Sequence, residues 1–406
     1  AARQAELATL PIMSERKQLW YEHNDGQPGS ARPPVIIETW TFDRDFMPES
    51  AFGCSTRLGR GIEYQLLRNL RNHDLIDDDK VMPDAYEIGW FLDLNEFGIK
   101  IERVAGAKDQ QGIETGYQFV HPIKDLRRDL ELLKPCTCRV DRDQTMAWKS
   151  FLEELFGDLL PVRIASGIVG NLFLTHRVVE LMGMEAFFTA MYDTPEELHR
   201  LMAFLRDNAL RAMRWAEGEG LLVLNNDNQQ SFGSSFNFTR QLPAAGARPD
   251  KVRLCDMWGG TNSQETVGVS PEMFHEFCAP YYHEVCRPLG LLYYGCCEPV
   301  HPFWNDLQQL PHLKKISISR WCDEAFMGEA LQGTGVIYSR KPDPNFLGVD
   351  VELNEAEWSR AIRKTLSVTR GLNVEFIVRD VYTVHGNLAK VRRAVELARQ
   401  EIARAR

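Results

Sequence analysis

Apolar and polar positions follow two different rhythms along the chain, and the change falls near residue 160. Before it, the runs are short. "PPVIIETW" (33–40) predicts a first strand, and residues 62–74 predict a basic amphipathic helix. "YEIGWFLD", "GIKIERVAG" and "GYQFVHPI" (86–123) are short alternating runs with glycine turns between them, which predicts a small antiparallel meander. A helix is expected at 146–158.

After residue 160, apolar strands alternate with amphipathic helices. Strands are expected at "PVRIASG" (161–167), "GLLVLNND" (220–227), "GLLYYGC" (290–296), "LKKISIS" (313–319), "GVIYSRK" (335–341) and "NVEFIVRD" (373–380). Helices are expected at 171–190, 194–218, 271–287, 301–309, 323–332, 354–369 and 388–405. Such alternation predicts parallel βαβ units. No G-x-G-x-x-G or G-x-x-x-x-G-K-[ST] follows any strand, so a nucleotide-binding doubly wound sheet lacks its usual support. With about seven or eight such strands, counting 33–40, a (β/α)8 TIM barrel fits better. The expected organisation is a helical extension at 1–32 and a barrel at 33–406 that carries the meander at about 86–123. The segment 228–253 is long and rich in Ser, Gly, Pro and Asn, which suggests a functional lid.

Composition narrows the partners. The 406 residues are 44% hydrophobic and 26% charged, as in a globular protein, and the net charge of −10 disfavours nucleic acid and anionic membranes. No apolar run approaches the roughly 18 residues that span a bilayer. Nine cysteines, with no secretory hydrophobic region, predict free thiols in a reducing cytoplasm.

In a barrel of this kind, chemistry sits at the C-terminal strand ends. Those ends supply Glu38, Thr39 and Trp40; Ser166; Asn225, Asn226 and Asp227; Tyr294, Cys296, Cys297 and Glu298; Ser319 and Arg320; Arg340 and Lys341; and Asp380, Tyr382 and His385. Ser166, Asn225 and Asp227 equally suit helix or loop caps. "DMWGGTNSQETVGVSPEMF" adds Trp258 and Glu265 before a helix that Ser270 and Pro271 begin. Glu265 precedes that cap and is free to project into a site.

The adjacent thiols of "LLYYGCCEPVHPFW" (291–304) are the most unusual feature. Neighbouring side chains on a strand point to opposite faces, so one thiol is expected to face the site and the other to pack behind it. A buried thiol beside a carboxylate is a poor nucleophile; a metal reverses that, because coordination removes its proton. Cysteine with glutamate and histidine suits zinc with an open fourth position, and two structural cysteines are the plainer alternative. His275, Cys278, His283 and Cys286 span roughly 16 Å of one helix and cannot share an ion, so they are expected to form a core-facing stripe. Cys136 and Cys138 have no histidine nearby.

Taken together, "SQETVGVSPEMFHEFCAPYY", "YYGCCEPVHPFW", "LKKISIS" and "FIVRDVYTVHGN" resemble the uroporphyrinogen decarboxylase superfamily, and within it the corrinoid-dependent methyltransferase branch, over about residues 160–405. The resemblance implies a (β/α)8 barrel with zinc at its C-terminal mouth and a cobalamin carried by a partner protein. The branch motif is His-x-Cys-Gly. Here Gly295-Cys296-Cys297-Glu298 stands in its place: Cys297 matches the cysteine and the histidine is missing, with Glu265, Glu298 and His385 as replacements. "PPVIIETWTFDRDF" does not reproduce the arginine-rich decarboxylase signature.

The resulting expectation is a zinc-dependent methyltransferase, of O-demethylase type, acting between a small methoxylated or methylated compound and a corrinoid protein. The expected metal ligands are Cys297, Cys296, Glu265 and His385. Glu298 and Asp227 are the expected catalytic carboxylates. Trp40, Trp258 and Tyr294 are expected to hold an apolar substrate, and Asn225, Asp227 and Arg340 its polar end. No Asp-x-His-x-x-Gly stretch occurs, so cobalamin is expected from the partner. A homodimer is the expected oligomer. The rival readings are a metal-independent lyase or decarboxylase using Asp227 or Asp380, and a non-enzymatic binding barrel.

Overall fold

The computed structural model describes residues 1–108, 116–230, 232–248 and 251–405. In chain order its strands are β1 (Val35–Ile37), β2 (Tyr86–Ile88), β3 (Phe91–Asn95), β4 (Glu102–Ala105), β5 (Tyr117–Val120), β6 (Thr137–Asp141), β7 (Val162–Ile164), β8 (Trp258–Thr261), β9 (Leu291–Tyr294), β10 (Leu313–Ile318), β11 (Ile337–Arg340) and β12 (Val374–Val378).

Six of them form one parallel sheet in the order β1-β12-β11-β10-β9-β8. It curls as a half-barrel, where the strand–helix rhythm predicts a full (β/α)8 barrel. Its strands are almost wholly buried and apolar, as sheets covered on both faces require. Lys315 on β10 meets Glu375 on β12 at 3.1 Å although β11 lies between them, so both project from the concave face.

The expected closed ring is not seen among the described residues. β2 and β7 pair in parallel as a separate two-strand sheet, Tyr86 opposite Val162 and Ile88 opposite Ile164. At one break, side chains replace the ladder. Asp79 accepts from Val35 N at 2.8 Å and Asp78 from Ile37 N at 2.8 Å. Burial alone would raise the Asp79 pKa, but Arg32 and Arg399 hold this carboxylate below its usual range. At the other break, the Asn225 amide donates to Trp258 O and accepts from Trp258 N, both at 2.9 Å. That explains why "GLLVLNND" is not a strand: its polar end closes bonds through a side chain instead of a ladder.

The expected meander is only partly formed. β4 pairs antiparallel with β5, whereas β3 pairs with β6 further along the chain. The basic helix runs over Arg57–Arg71, started by Thr56, whose side chain accepts from Gly59 N. The expected helix 271–287 breaks at Cys278 into Pro271–Phe277 and Ala279–Cys286. Its predicted stripe is half right: Cys278 and Cys286 are buried, while His275 and His283 face outward.

Part of the expected lid is instead a plug. Residues 235–239 are buried, with Asn24 donating to Phe236 O and Phe238 O, and Lys315 to Phe236 O. Trp20, from the N-terminal helix Pro11–Asp25, packs on Phe236 with ring centroids 5.3 Å apart. Residues 231, 249 and 250 of that loop lie outside the described residues.

Candidate active site at the strand ends

β9 ends at Tyr294, and Gly295 follows with φ 98°, a conformation open to glycine and strained for other residues. The chain then bends through 296–298. The alternation of a strand therefore stops before the thiols, and the expected opposite orientation does not hold: Cys296 Sγ and Cys297 Sγ lie 3.4 Å apart. Glu298 fixes this bend. Buried, it accepts from Cys296 N at 2.9 Å and from Ser263 N at 3.2 Å, and burial raises its pKa.

The Cys297 thiol donates to Asp380 Oδ2 at 3.2 Å. Asp380 follows β12 in the left-handed region, φ 59°, a strained placement of the kind that collects at functional sites. Buried Arg379 reaches Asp380 Oδ2 at 3.4 Å and Glu38 Oε2 at 3.6 Å. The thiols are unequal. The hydrogen bond from Cys297, with the Arg379 charge, lowers the Cys296 pKa, whereas the bond to Cys296, burial and Asp380 raise that of Cys297.

A cavity of about 420 Å³ opens beside this cluster, lined by Glu38, Thr39 and Trp40 after β1, Glu87 of β2 and Ser166 after β7. The cysteines do not line it. Glu38 belongs to both regions, joining the cavity wall to Arg379 and, through Asp380, to Cys297.

The other expected site residues scatter. Asn225 and Trp40 line the cavity, and Trp40 is 58% exposed at its rim. Trp258 is buried, its indole donating to Asn237 O. Tyr294 is buried against Ser263 Oγ. Arg340 pairs with Glu324 and donates to Ser319 O. Asp227 is exposed, outside the cavity lining. Glu265 is held by His176 at 3.0 Å and Thr175 at 2.8 Å, and exposed His385 contacts Gly348 O.

Two features, the Lys315–Glu375 pair and His176, escaped the strand-end reading, which did name Lys341. Lys315, Glu375, Ser235 and Ser339 form a buried polar knot on the concave face, with Lys315 5.3 Å from the Trp20 ring centroid. Lysine and glutamate within apolar strands were the available signal. Buried Lys341 donates to Ser339 Oγ at 2.8 Å and Gly233 O at 3.2 Å, and burial lowers its pKa to about 7. His176, between Glu180 and Glu265, is raised to about 9 by its hydrogen bonds to both.

The thiols and Asp380 can be tested against zinc. Bonds of about 2.3 Å to sulfur and about 2.1 Å to oxygen at tetrahedral angles place S···S at about 3.8 Å and S···O at about 3.6 Å. The gaps of 3.4 and 3.2 Å are each about 0.4 Å short, as suits thiols still joined by protons. Among the described residues no three His, Cys, Asp or Glu side chains are already arranged to hold a metal. Zinc here would need loss of both thiol protons and a rearrangement of the thiols and Asp380, because Glu265 and His385 are held elsewhere.

No family model matches the chain, and no curated protein matches it. Among solved structures, a methyltransferase from Methanosarcina mazei is similar, with TM-score 0.52 and 15% identity over 96% of this chain and 99% of that one. At that identity, the likeness is one of fold.

Proposed function

We propose that the protein is a methyltransferase that moves a methyl group between a small methoxylated or methylated compound and a corrinoid carried by a partner protein. One observation carries the reading: two touching thiols after β9 and a strained aspartate after β12 meet at one end of the sheet, one ion pair from a cavity of small-molecule size. The fold likeness to a methyltransferase supports it. The eight parallel strands β1, β2 and β7–β12 are then a (β/α)8 barrel opened at two places.

Zinc held by Cys296, Cys297 and Asp380 would polarise the oxygen that loses its methyl group. The chain's own residues do the rest. Glu298 fixes the bend that presents both thiols. Arg379 holds Asp380 towards Cys297 and favours charge on Cys296. Trp40 stands exposed at the cavity rim, and exposed Tyr382, two residues after Asp380, is close enough to Cys297 and Glu38 to feel their charge.

Elemental analysis of wild type and Cys297→Ala is the test, together with methylation of cob(I)alamin followed by absorbance. Zinc in the wild type and at least a tenfold loss in the variant are expected. Equal zinc in both removes the proposed ligand. A metal-independent lyase has one observation in its favour, the buried Lys341 amine, and protein without metal that still releases carbon dioxide from a carboxylated substrate would establish it.

A further inference from the structure

The cysteines are all free, and among the described residues two pairs of thiols touch. One is the Cys296–Cys297 pair at the strand ends. The other stands at the small sheet of β3 and β6, outside the six-strand sheet: Cys136 Sγ and Cys138 Sγ lie 3.3 Å apart. Residues two apart on an extended chain share a face, so the Cys-Thr-Cys spacing itself brings these sulfurs together. Cys138 lies opposite Leu94 in the β3–β6 ladder. A closing of about 1.3 Å would join the sulfurs at the length of a disulfide.

Neighbours hold the pair in this arrangement. Cys136 N donates to Asn208 Oδ1 at 3.0 Å, and Asn208 Nδ2 donates to Glu96 O at 2.6 Å, which ties the segment to the helix Pro195–Gly218. Among the described residues no third His, Cys, Asp or Glu side chain joins the two sulfurs, so the pair lacks the ligand count of a structural zinc site.

The two thiols have different surroundings. Cys136 is buried and lines a small cleft with Glu96, Arg177 and Asn208, whereas Cys138 is half-buried. Burial, and then the hydrogen bond to Cys138, push the Cys136 pKa up to about 12, so this sulfur keeps its proton until a reaction takes it. Exposed Arg211 is near enough for its charge to favour a thiolate here. The more accessible Cys138 therefore meets a reagent first.

We infer that Cys136 and Cys138 form a thiol–disulfide exchange site whose substrate is a small disulfide of the glutathione type. The Cys138 thiolate attacks one sulfur of that disulfide and expels a thiolate, which takes up a proton. Cys136 then loses its proton, attacks Cys138 Sγ and expels the second thiolate. One external S–S bond is exchanged for one internal S–S bond: the protein dithiol is oxidised by two electrons, the small disulfide is reduced by two, and both protons end on the departing thiols. Nothing in this step rests on the methyl-transfer reading.

Incubating the reduced full chain with glutathione disulfide, in the absence of oxygen, tests the inference. Remaining thiols are then alkylated, and the tryptic peptide 129–139, which holds both cysteines, is weighed. In the wild type this peptide is expected as an internal disulfide, lighter by two hydrogens than the dithiol form, and a dithiol reductant should return it. Cys136→Ser, checked for a native melting transition, should stop at a glutathione adduct on Cys138. Cys138→Ser, checked in the same way, should acquire glutathione on Cys136 at least tenfold more slowly. A wild-type 129–139 peptide that is fully alkylated, whatever happens at the other cysteines, or that carries glutathione without closing, would overturn the inference. Glutathione added to Cys136 as fast as to Cys138 in the two variants would overturn the proposed order of attack and with it the site.

Discussion

Replacing Lys341 by Met gives a stability difference with a defined pH signature. The Lys341 amine is buried, and its pKa falls from 10.5 to about 7 because charge there lacks water. The unfolded chain therefore binds a proton between pH 7 and 10.5 that the folded chain does not. Stability lost to this residue is largest below pH 7 and disappears as pH rises through 10.5. The shift corresponds to about 5 kcal/mol, of which about 3 kcal/mol should be recovered between pH 6 and 9.5. Methionine has no such dependence but loses the bonds to Ser339 and Gly233, about 1 kcal/mol each. K341M should thus be more stable than wild type at pH 6, by about 2–3 kcal/mol, and close to it or weaker at pH 9.5. Urea unfolding of both proteins at the two pH values measures this. A stability difference independent of pH would show that the folded amine titrates as it does in water, and the account of its burial would fall.

Three other outcomes follow from the geometry. Gly295→Ala places a Cβ at φ 98° and 3.0 Å from Ser317 Cβ; it should destabilise by about 1–3 kcal/mol and separate the thiols, read by urea unfolding and by the rate of thiol labelling. Asp79→Asn leaves Arg32 and Arg399 short of a buried counter-charge and weakens the β1 edge, a loss of about 3–5 kcal/mol in the same assay. The His176 pKa is raised from 6.5 to about 9, so its contribution is complete below pH 6.5 and lost as pH rises through 9; His176→Gln should flatten that part of the stability profile, and an unchanged profile would count against the Glu180–Glu265 clamp.

How far the site was legible can be traced residue by residue. Strand ends named Glu38, Trp40, Cys296, Cys297 and Asp380, because parallel-strand periodicity fixes where each strand stops. Their grouping was less legible. Glu265 was expected to reach the thiols and is instead held by His176 and Thr175, partners on the helix Leu174–Met182, far from it in sequence. Asn225 was expected to touch substrate; it lines the cavity but spends its amide on the Trp258 backbone. Both depend on contacts that no local pattern encodes.

By itself the sequence determined most of the parallel strands, the helices that cover them and the end of the sheet at which polar residues gather, since hydrophobic period is a local property. Tertiary structure alone decided the rest. Gly295 turned both thiols to one side, Asp78, Asp79 and Asn225 completed sheet edges with side chains, and residues 235–239 packed against the concave face of the sheet where a lid was expected. Each is a long-range choice: a buried backbone or side-chain polar group must find a partner wherever the fold brings one within reach.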